Sequence, residues 1–246
     1  MGIKGSETWQ LLVESRSPLA SRILAEHTVN GKPEMTKVGG LWTYLEDYMT
    51  GASLEGTGVN DAVPAAISFQ KESVVCIRAK TSSDLLQFTG FVVDKGGLIL
   101  CTAHDLSDVQ DVIVTLDNGQ EVDGRLVKID PRRDLALIDI GRDLSSSVPF
   151  TRARDMARIG ERIYSITCSN THQMEFHAGI VDRPMRRAND LPLFQVQMQT
   201  LPGSSGSPVF DVEGNLIGVV KGRYRGTDSV GFLIPPETAR EFLWGK

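Results

Sequence analysis

The sequence predicts an all-β protein, and three observations point to that class. Twelve short apolar runs follow one another after Ser68 at the lengths typical of strands. Turn residues separate them, as at Lys95-Gly96, Asp117-Asn118-Gly119 and Asp130-Pro131. Almost no helical spacing lies between the runs. Short strands joined by hairpin turns are typical of an antiparallel barrel or sandwich, and a parallel sheet would require intervening helices.

The twelve runs divide six and six, which fits two similar barrels. The predicted strands cover residues 74–78, 90–94, 98–101, 112–116, 121–127, 135–140, 162–167, 178–182, 193–198, 208–210, 216–221 and 230–234. Behind them, Pro235 and Pro236 open a stretch with helical spacing, and Gly245 follows it. We therefore predict a short C-terminal helix over residues 235–244.

Residues 1–66 have a different pattern of apolar positions, which predicts a helical N-terminal extension. Apolar positions recur at roughly helical spacing over residues 6–27, with a break at Ser17-Pro18, and a further short helix is predicted over residues 41–49. Three roles stay open for this extension: packing against the barrels, inhibition or processing, and a docking or oligomerisation surface.

The composition of the chain indicates which kinds of binding partner and which cellular compartment to expect. The formal net charge of -5 and pI near 5.4 argue against a general nucleic-acid binder, which needs a concentrated basic face. No apolar run reaches the ~18 residues of a membrane-spanning helix. The three cysteines Cys76, Cys101 and Cys168 are too few and too scattered for a disulfide framework. With no apolar stretch behind Met1, the expectation is a cytoplasmic protein, or an exported one whose leader was removed.

Residues 202–208 carry the strongest chemical signal, a glycine-flanked serine between two strand-like runs. Acyl transfer needs a nucleophile on a sharp turn and backbone N–H groups aimed at the oxyanion, and glycine permits both. In this interpretation Ser205 attacks, while the N–H groups of Gly203 and Ser205 bind the oxyanion. The alternative is a polar turn that merely joins two strands.

A serine nucleophile needs a base that is held by a third group, and His104 with Asp134 fits these roles. His104 directly follows a predicted strand, and Asp134 opens one. The alternatives are a structural histidine and a turn-capping aspartate, a role that Asp130 could also fill. His27 lies in the extension, and His172 and His177 are expected on the surface.

These residues together resemble the trypsin-like serine peptidases, specifically their HtrA/Deg-type branch. The resemblance covers about residues 74–242 and rests on the order of eight segments: 90–94, 98–104, 117–119, 130–138, 179–181, 203–208, 214–219 and 231–235. It implies a chymotrypsin-like double antiparallel β-barrel over residues 67–246, with barrels at about 67–150 and 151–246. Chain order agrees, because an α/β-hydrolase places its histidine after the serine and no histidine follows Ser205.

The resemblance also implies a function and a set of site residues. It predicts a serine endopeptidase that acts on protein or peptide substrates without a cofactor or metal, in protein quality control or regulated proteolysis, with a possible oligomer or regulatory partner. The implied residues are His104, Asp134 and Ser205 as the triad; Gly203, Ser204 and Ser205 as the oxyanion hole; and Gln199, Thr200, Val219, Val220 and Lys221 at the specificity pocket. The pocket residues other than Lys221 are uncharged, which favours a small or medium apolar side chain.

Some positions depart from the family pattern. Ser204 and Ser207 stand where members usually have Asn and Gly, and residues 167–173 lack the usual Gly-rich loop, which puts constitutive activity in doubt. No PDZ-like segment is expected after Trp244.

Two alternatives come from other classes of protein. One is a catalytically inactive binding or scaffold protein on the same fold. The other is a zinc site in which Cys101, His104, Cys168 and His172 supply four ligands.

Overall fold

The computed structural model describes the part of the chain that follows the N-terminal extension, with a few gaps, and one short hairpin before it. The described residues are 28–29, 32–33, 63–82, 84–106, 108–169, 171–188, 191–223 and 229–245. For residues 28–29, 32–33, Asp105 and 184–188 the description covers the backbone alone.

Twelve strands form two closed antiparallel barrels, as the sequence predicted. The first is built from β3 (Val74–Thr81), β4 (Leu85–Asp94), β5 (Leu98–Cys101), β6 (Val109–Thr115), β7 (Glu121–Asp130) and β8 (Leu135–Asp139). The second is built from β9 (Arg162–Cys168), β10 (Met174–Ala188), β11 (Leu191–Met198), β12 (Pro208–Asp211), β13 (Leu216–Arg223) and β14 (Val230–Ile234). The strand order around the first barrel is β3-β4-β5-β8-β7-β6, and around the second it is β10-β11-β14-β13-β12-β9.

Little helix accompanies the barrels. A four-residue helix α1 (Ala65–Ser68) precedes the first barrel, and α2 (Pro236–Trp244) follows the second at the predicted place. No helix among the described residues is long and apolar enough to cross a membrane.

Three apolar clusters hold the barrels together. One fills the first barrel around Ile77, Phe88 and Ile99, and another fills the second around Phe194 and Ile217. The third is shared by both barrels and α2, with the buried rings of Phe91, Phe210 and Phe242. Because burial of such side chains is the main favourable term in folding, this shared cluster fixes one barrel against the other.

A disulfide between the barrels corrects the expectation from the cysteine count. Cys76 on β3 is bonded to Cys168 at the end of β9, across 92 positions of sequence, and both are buried. Cys101 is buried and lies outside the disulfide. Sequence spacing did not reveal the pair because the two cysteines lie on strands of different barrels, 92 positions apart.

Within the N-terminal extension the structure describes one short hairpin and residues 63–66, where α1 begins. In the hairpin, β1 (Thr28–Val29) pairs with β2 (Lys32–Pro33) in an antiparallel arrangement that the sequence did not predict. The helices predicted over residues 6–27 and 41–49 lie outside the described residues.

Candidate active site

The first barrel brings His104 and Asp134 together. His104 opens a 3-10 turn just after β5, and Asp134 immediately precedes β8. The two strands are neighbours in the sheet, with Cys101 opposite Ala136, so the residues at their ends meet. Nδ1 of His104 lies 2.9 Å from each carboxylate oxygen of Asp134. The histidine ring is fixed on one side and remains 43% exposed on the other.

Asp134 is held in an unusual backbone conformation. Its φ is +57°, a left-handed value that Asp tolerates better than most residues with a side chain. Its Oδ1 accepts the backbone N–H groups of Ala103 at 3.2 Å and His104 at 2.9 Å. Burial opposes ionisation of this carboxyl, but the hydrogen bonds from His104 and Lys221 hold its pKa below the usual value. Asp134 is therefore an anion placed to orient the imidazole.

Lys221 contacts the same carboxylate. Its Nζ donates to Oδ2 of Asp134, although Lys221 belongs to β13 of the second barrel. Family resemblance places Lys221 at the specificity pocket, and no pattern in the sequence indicates this ion pair.

The Ser205 turn has the backbone that a nucleophile turn requires. Gly203 and Gly206 have φ values of +98° and +82°, which a residue with a side chain rarely adopts. Ser204 donates its N–H to the carbonyl of Leu201, and Gly206 donates to Val220. Within the described ranges, the N–H groups of Gly203 and Ser205 have no backbone acceptor. Two amides at this turn are thus available to an external oxygen.

Thr89 of the first barrel clamps this turn. Its backbone N–H donates to the carbonyl of Ser205 at 3.0 Å, and its Oγ1 donates to the carbonyl of Gly203 at 2.7 Å. The same hydroxyl accepts the N–H of Cys168 at 2.9 Å. A polar residue in the middle of β4 carries no sequence signal for this role, and Thr89 was not among the predicted site residues.

Two further contacts connect the Ser205 turn with the segments that position His104 and Asp134. A Cβ added at Gly206 would lie 2.0 Å from the carbonyl oxygen of Thr89 and 3.4 Å from Cα of Cys101, which is three residues before His104. The Gly206 N–H bonds Val220, whose chain neighbour Lys221 reaches Asp134. The turn therefore packs against the strands on which both partners depend.

The serines that depart from the family pattern are both buried. Oγ of Ser207 lies 2.9 Å from Oγ1 of Thr167, so its side chain is accommodated by a hydrogen bond inside the second barrel. Oγ of Ser204 is buried and has no hydrogen-bond partner within the described residues.

The predicted pocket residues occupy different environments. Gln199 is exposed, whereas Thr200 is buried and donates its hydroxyl to the carbonyl of Met198 at 2.9 Å. The side chains of Val219 and Val220 are fully buried in two of the apolar clusters.

His177 is not the surface residue that the sequence suggested. It lies on β10 opposite Ser165, and its side chain is only 9% exposed. Burial lowers its pKa, an effect that the nearby Glu175 carboxylate and Gln199 amide oppose. His172, in contrast, is exposed as expected.

The predicted zinc ligands do not form a site. Nδ1 of His104 is held by Asp134, and Cys168 is bonded to Cys76. In the described part of the chain, ligand atoms of Cys76, Cys168 and His172 lie within 4.8 Å of one another, but the disulfide occupies both sulfur atoms.

Comparison with known proteins shows the family to which this double barrel belongs. The family model of the trypsin-like peptidase domain matches residues 88–219. Over 159 residues the chain is 28% identical to a probable periplasmic serine endoprotease, DegP-like, of Pseudomonas fulva, covering 62% of this chain and 33% of that protein. Over 163 residues it is 31% identical to the mitochondrial serine protease HTRA2 of Bos taurus, covering 63% and 35%.

A solved structure confirms the double barrel. The active form of the Rv3671c protease from M. tuberculosis superposes with a TM-score of 0.68 at 20% identity, covering 73% of this chain and 83% of that one. At this identity the likeness concerns the fold.

Two closed barrels with a histidine and an aspartate beside a glycine-flanked serine turn define a double-barrel domain of the peptidase class. The chain belongs to the trypsin-like peptidase domain family, since that family's model matches more than half of it. The chain spans about a third of the length of the curated relatives it matches, which carry the names of serine endoproteases of the HtrA and DegP type.

Proposed function

We propose that this chain is a serine endopeptidase whose triad is His104, Asp134 and Ser205. The observation that carries the proposal is the hydrogen-bonded pair of His104 and Asp134, together with a Ser205 turn that packs against β4 and β5 and has two backbone N–H groups without a backbone acceptor among the described residues. The names of the relatives favour this function over an inactive scaffold on the same fold.

The proposed reaction is acyl transfer. Ser205 Oγ attacks the peptide carbonyl while Nε2 of His104 takes its proton, and Asp134 stabilises the imidazolium that forms. The N–H groups of Gly203 and Ser205 donate to the oxyanion. His104 then protonates the leaving amine, and a water molecule repeats the sequence to release the acyl group as a carboxylic acid.

The proposed substrate is an unfolded protein or flexible peptide with a small or medium apolar side chain before the scissile bond. A pocket that selects Arg or Lys needs a carboxylate, and the predicted pocket residues include none. Gln199 and Thr200 are neutral, and the one charged residue, Lys221, is a cation that contacts Asp134. The proposal also includes a homo-oligomer or a regulatory partner that binds through residues 1–66.

We propose an exported location. A buried disulfide between the barrels is typical of an oxidising compartment, and relatives carry the description periplasmic. The expectation of a cytoplasmic protein finds no support in these relatives.

Hydrolysis of an unfolded substrate tests the activity. The chain is expected to cleave reduced, alkylated casein, with mass-spectrometric mapping showing cleavage after small or medium apolar residues. A fluorophosphonate should abolish the cleavage. A folded chain that neither cleaves the substrate nor reacts with the fluorophosphonate would contradict the proposal and favour the non-catalytic alternative.

Gly206→Ala is expected to lower kcat/KM by about 100-fold, the effect of displacing a catalytic group by ~1 Å. A Cβ at this position would lie 2.0 Å from the carbonyl oxygen of Thr89, so the turn that carries Ser205 must shift. Peptide hydrolysis measures the effect.

Gly119→Ala is the matched control for that substitution. Gly119 has a φ of +81°, nearly that of Gly206, but a Cβ there would meet nothing within 4 Å. The control should destabilise the fold by about 1 kcal/mol and leave kcat/KM near the value of the unmodified chain. Equal kinetics for both variants would show that the packing of the turn on Thr89 does not matter.

A further inference from the structure

Lys221 joins the second barrel to the candidate catalytic aspartate of the first. Its Nζ donates to Oδ2 of Asp134, Nδ1 of His104 lies 2.9 Å from both carboxylate oxygens, and two backbone N–H groups donate to Oδ1. The side chain of Asp134 is 5% exposed and that of Lys221 is 32% exposed. The carboxylate of Asp134 is therefore largely shielded from solvent, whereas the side chain of Lys221 is partly open to it.

A β-bulge directs Lys221 toward this contact. Val220 pairs with Leu233 and Gly222 pairs with Phe232, so Lys221 is an extra residue on β13 that has no partner on β14. An extra residue of this kind breaks the alternation of the strand and redirects a side chain. Val219 and Val220 point into apolar clusters, and the bulge brings the next side chain out to the first barrel.

The charge of Lys221 changes what Asp134 can do for the histidine. An isolated aspartate stabilises the imidazolium and so raises the pH below which the histidine is protonated and inactive as a base. A cation on the same carboxylate opposes this, because it neutralises part of the charge and repels the imidazolium. It also holds Oδ2, one of the two oxygens that face the imidazole, while the backbone amides hold Oδ1, so the carboxylate is restrained at both oxygens.

Among the described residues, the chain neighbour of Asp134, the thiol on β5 and the Ser205 turn do not supply the positive charge that Lys221 brings to that carboxylate. Arg133, its chain neighbour, is directed into ion pairs with Asp130 and Glu241. From β5, the thiol of Cys101 donates to a backbone carbonyl, and the Ser205 turn contributes hydroxyls, which do not titrate near neutral pH.

We propose that Lys221 is a positioning residue that holds Asp134 in register with His104 and keeps the histidine neutral, and so active as a base, at lower pH than an unneutralised aspartate would allow. This inference rests on the proposed peptidase function and extends it, because it assigns a charge-tuning role to a residue outside the triad. The predicted consequence is activity that persists into mildly acidic solution.

The test is the pH dependence of kcat/KM in Lys221→Met, which removes the charge and keeps an unbranched side chain. The acid limb should move to higher pH by about half to one unit, a magnitude consistent with one unit charge a few ångströms from the ring at a partly exposed site. Lys221→Arg keeps the positive charge, so its acid limb should lie close to the pH at which it lies in the unmodified chain. If the Met variant does not fold by circular dichroism, Lys221→Gln takes its place.

Lys95→Met is the matched control. It removes the same charge at the opposite end of β5 from His104 and should not move the acid limb. An acid limb that is unmoved in the Lys221 variant, or moved equally in the Lys95 variant, would overturn the inference while leaving the peptidase function in place.

NMR titration of the His104 ring separates the two proposals further, because it requires no turnover. With isotope-labelled histidine, and the His104 signal assigned by His104→Gln, the ring should titrate at higher pH in Lys221→Met than in the unmodified chain. An unshifted titration would overturn the role of Lys221. A shifted titration in a chain without hydrolysis would support the charge effect and count against the peptidase function alone.

Discussion

Replacing Ser205 by Ala, or His104 by Ala, is expected to lower kcat/KM for peptide hydrolysis by about 10³-fold or more. Each change removes one member of a unit that acts together: the oxygen that attacks the carbonyl, or the base that takes its proton. The double variant should be scarcely slower than either single one, because the loss of one member already disables the other. Steady-state hydrolysis of a peptide substrate measures all three.

His172→Ala is the matched control for the histidine variant, since His172 is exposed and lies outside the proposed triad. It should retain the activity of the unmodified chain, and all variants should show unchanged circular dichroism. Turnover of Ser205→Ala within tenfold of the unmodified chain, or independent losses that multiply in the double variant, would refute the assignment.

The second large effect concerns stability. Replacing Cys76 and Cys168 together by Ser is expected to lower the free energy of unfolding by roughly 3–5 kcal/mol, because the disulfide closes a loop across 92 positions of sequence in the unfolded chain. Denaturant unfolding with and without a dithiol reductant measures it. Reductant should destabilise the unmodified chain by a similar amount and leave the double variant unchanged.

Cys101→Ala separates the cross-link from the loss of a buried thiol. Cys101 lies outside the disulfide, so this variant should respond to reductant as the unmodified chain does. Activity should also fall on reduction, since the N–H of Cys168 bonds the Thr89 hydroxyl that holds the carbonyl of Gly203. An unmodified chain whose unfolding is indifferent to reductant would show that the disulfide does not stabilise the fold.

The sequence predicted the parts of this structure that depend on local chemistry. All twelve strands formed where apolar runs lie between turn residues, and α2 began at its prolines. Most of the differences are extensions, as at β4, which begins at Leu85, and β10, which runs from Met174 to Ala188. Such extensions contain polar or charged residues whose pairing is decided by the neighbouring strand and not by their own pattern.

What the sequence did not predict depends on contacts between the barrels. The disulfide, the Thr89 clamp and the Lys221 ion pair each join residues of different barrels, and no local pattern marks them. The bulge at Lys221 is likewise a mismatch between two strands and is invisible in either one alone. The left-handed backbone of Asp134 occurs together with two donors from a distant segment, the amides of Ala103 and His104, which its own sequence neighbours do not reveal.

The central claim is that His104 activates Ser205, and fluorophosphonate labelling with peptide mapping tests it most directly. The unmodified chain should carry a single adduct on Ser205, and the rate of labelling should fall by orders of magnitude in His104→Ala. An adduct on another serine, or an equal rate of labelling in the histidine variant, would contradict the account.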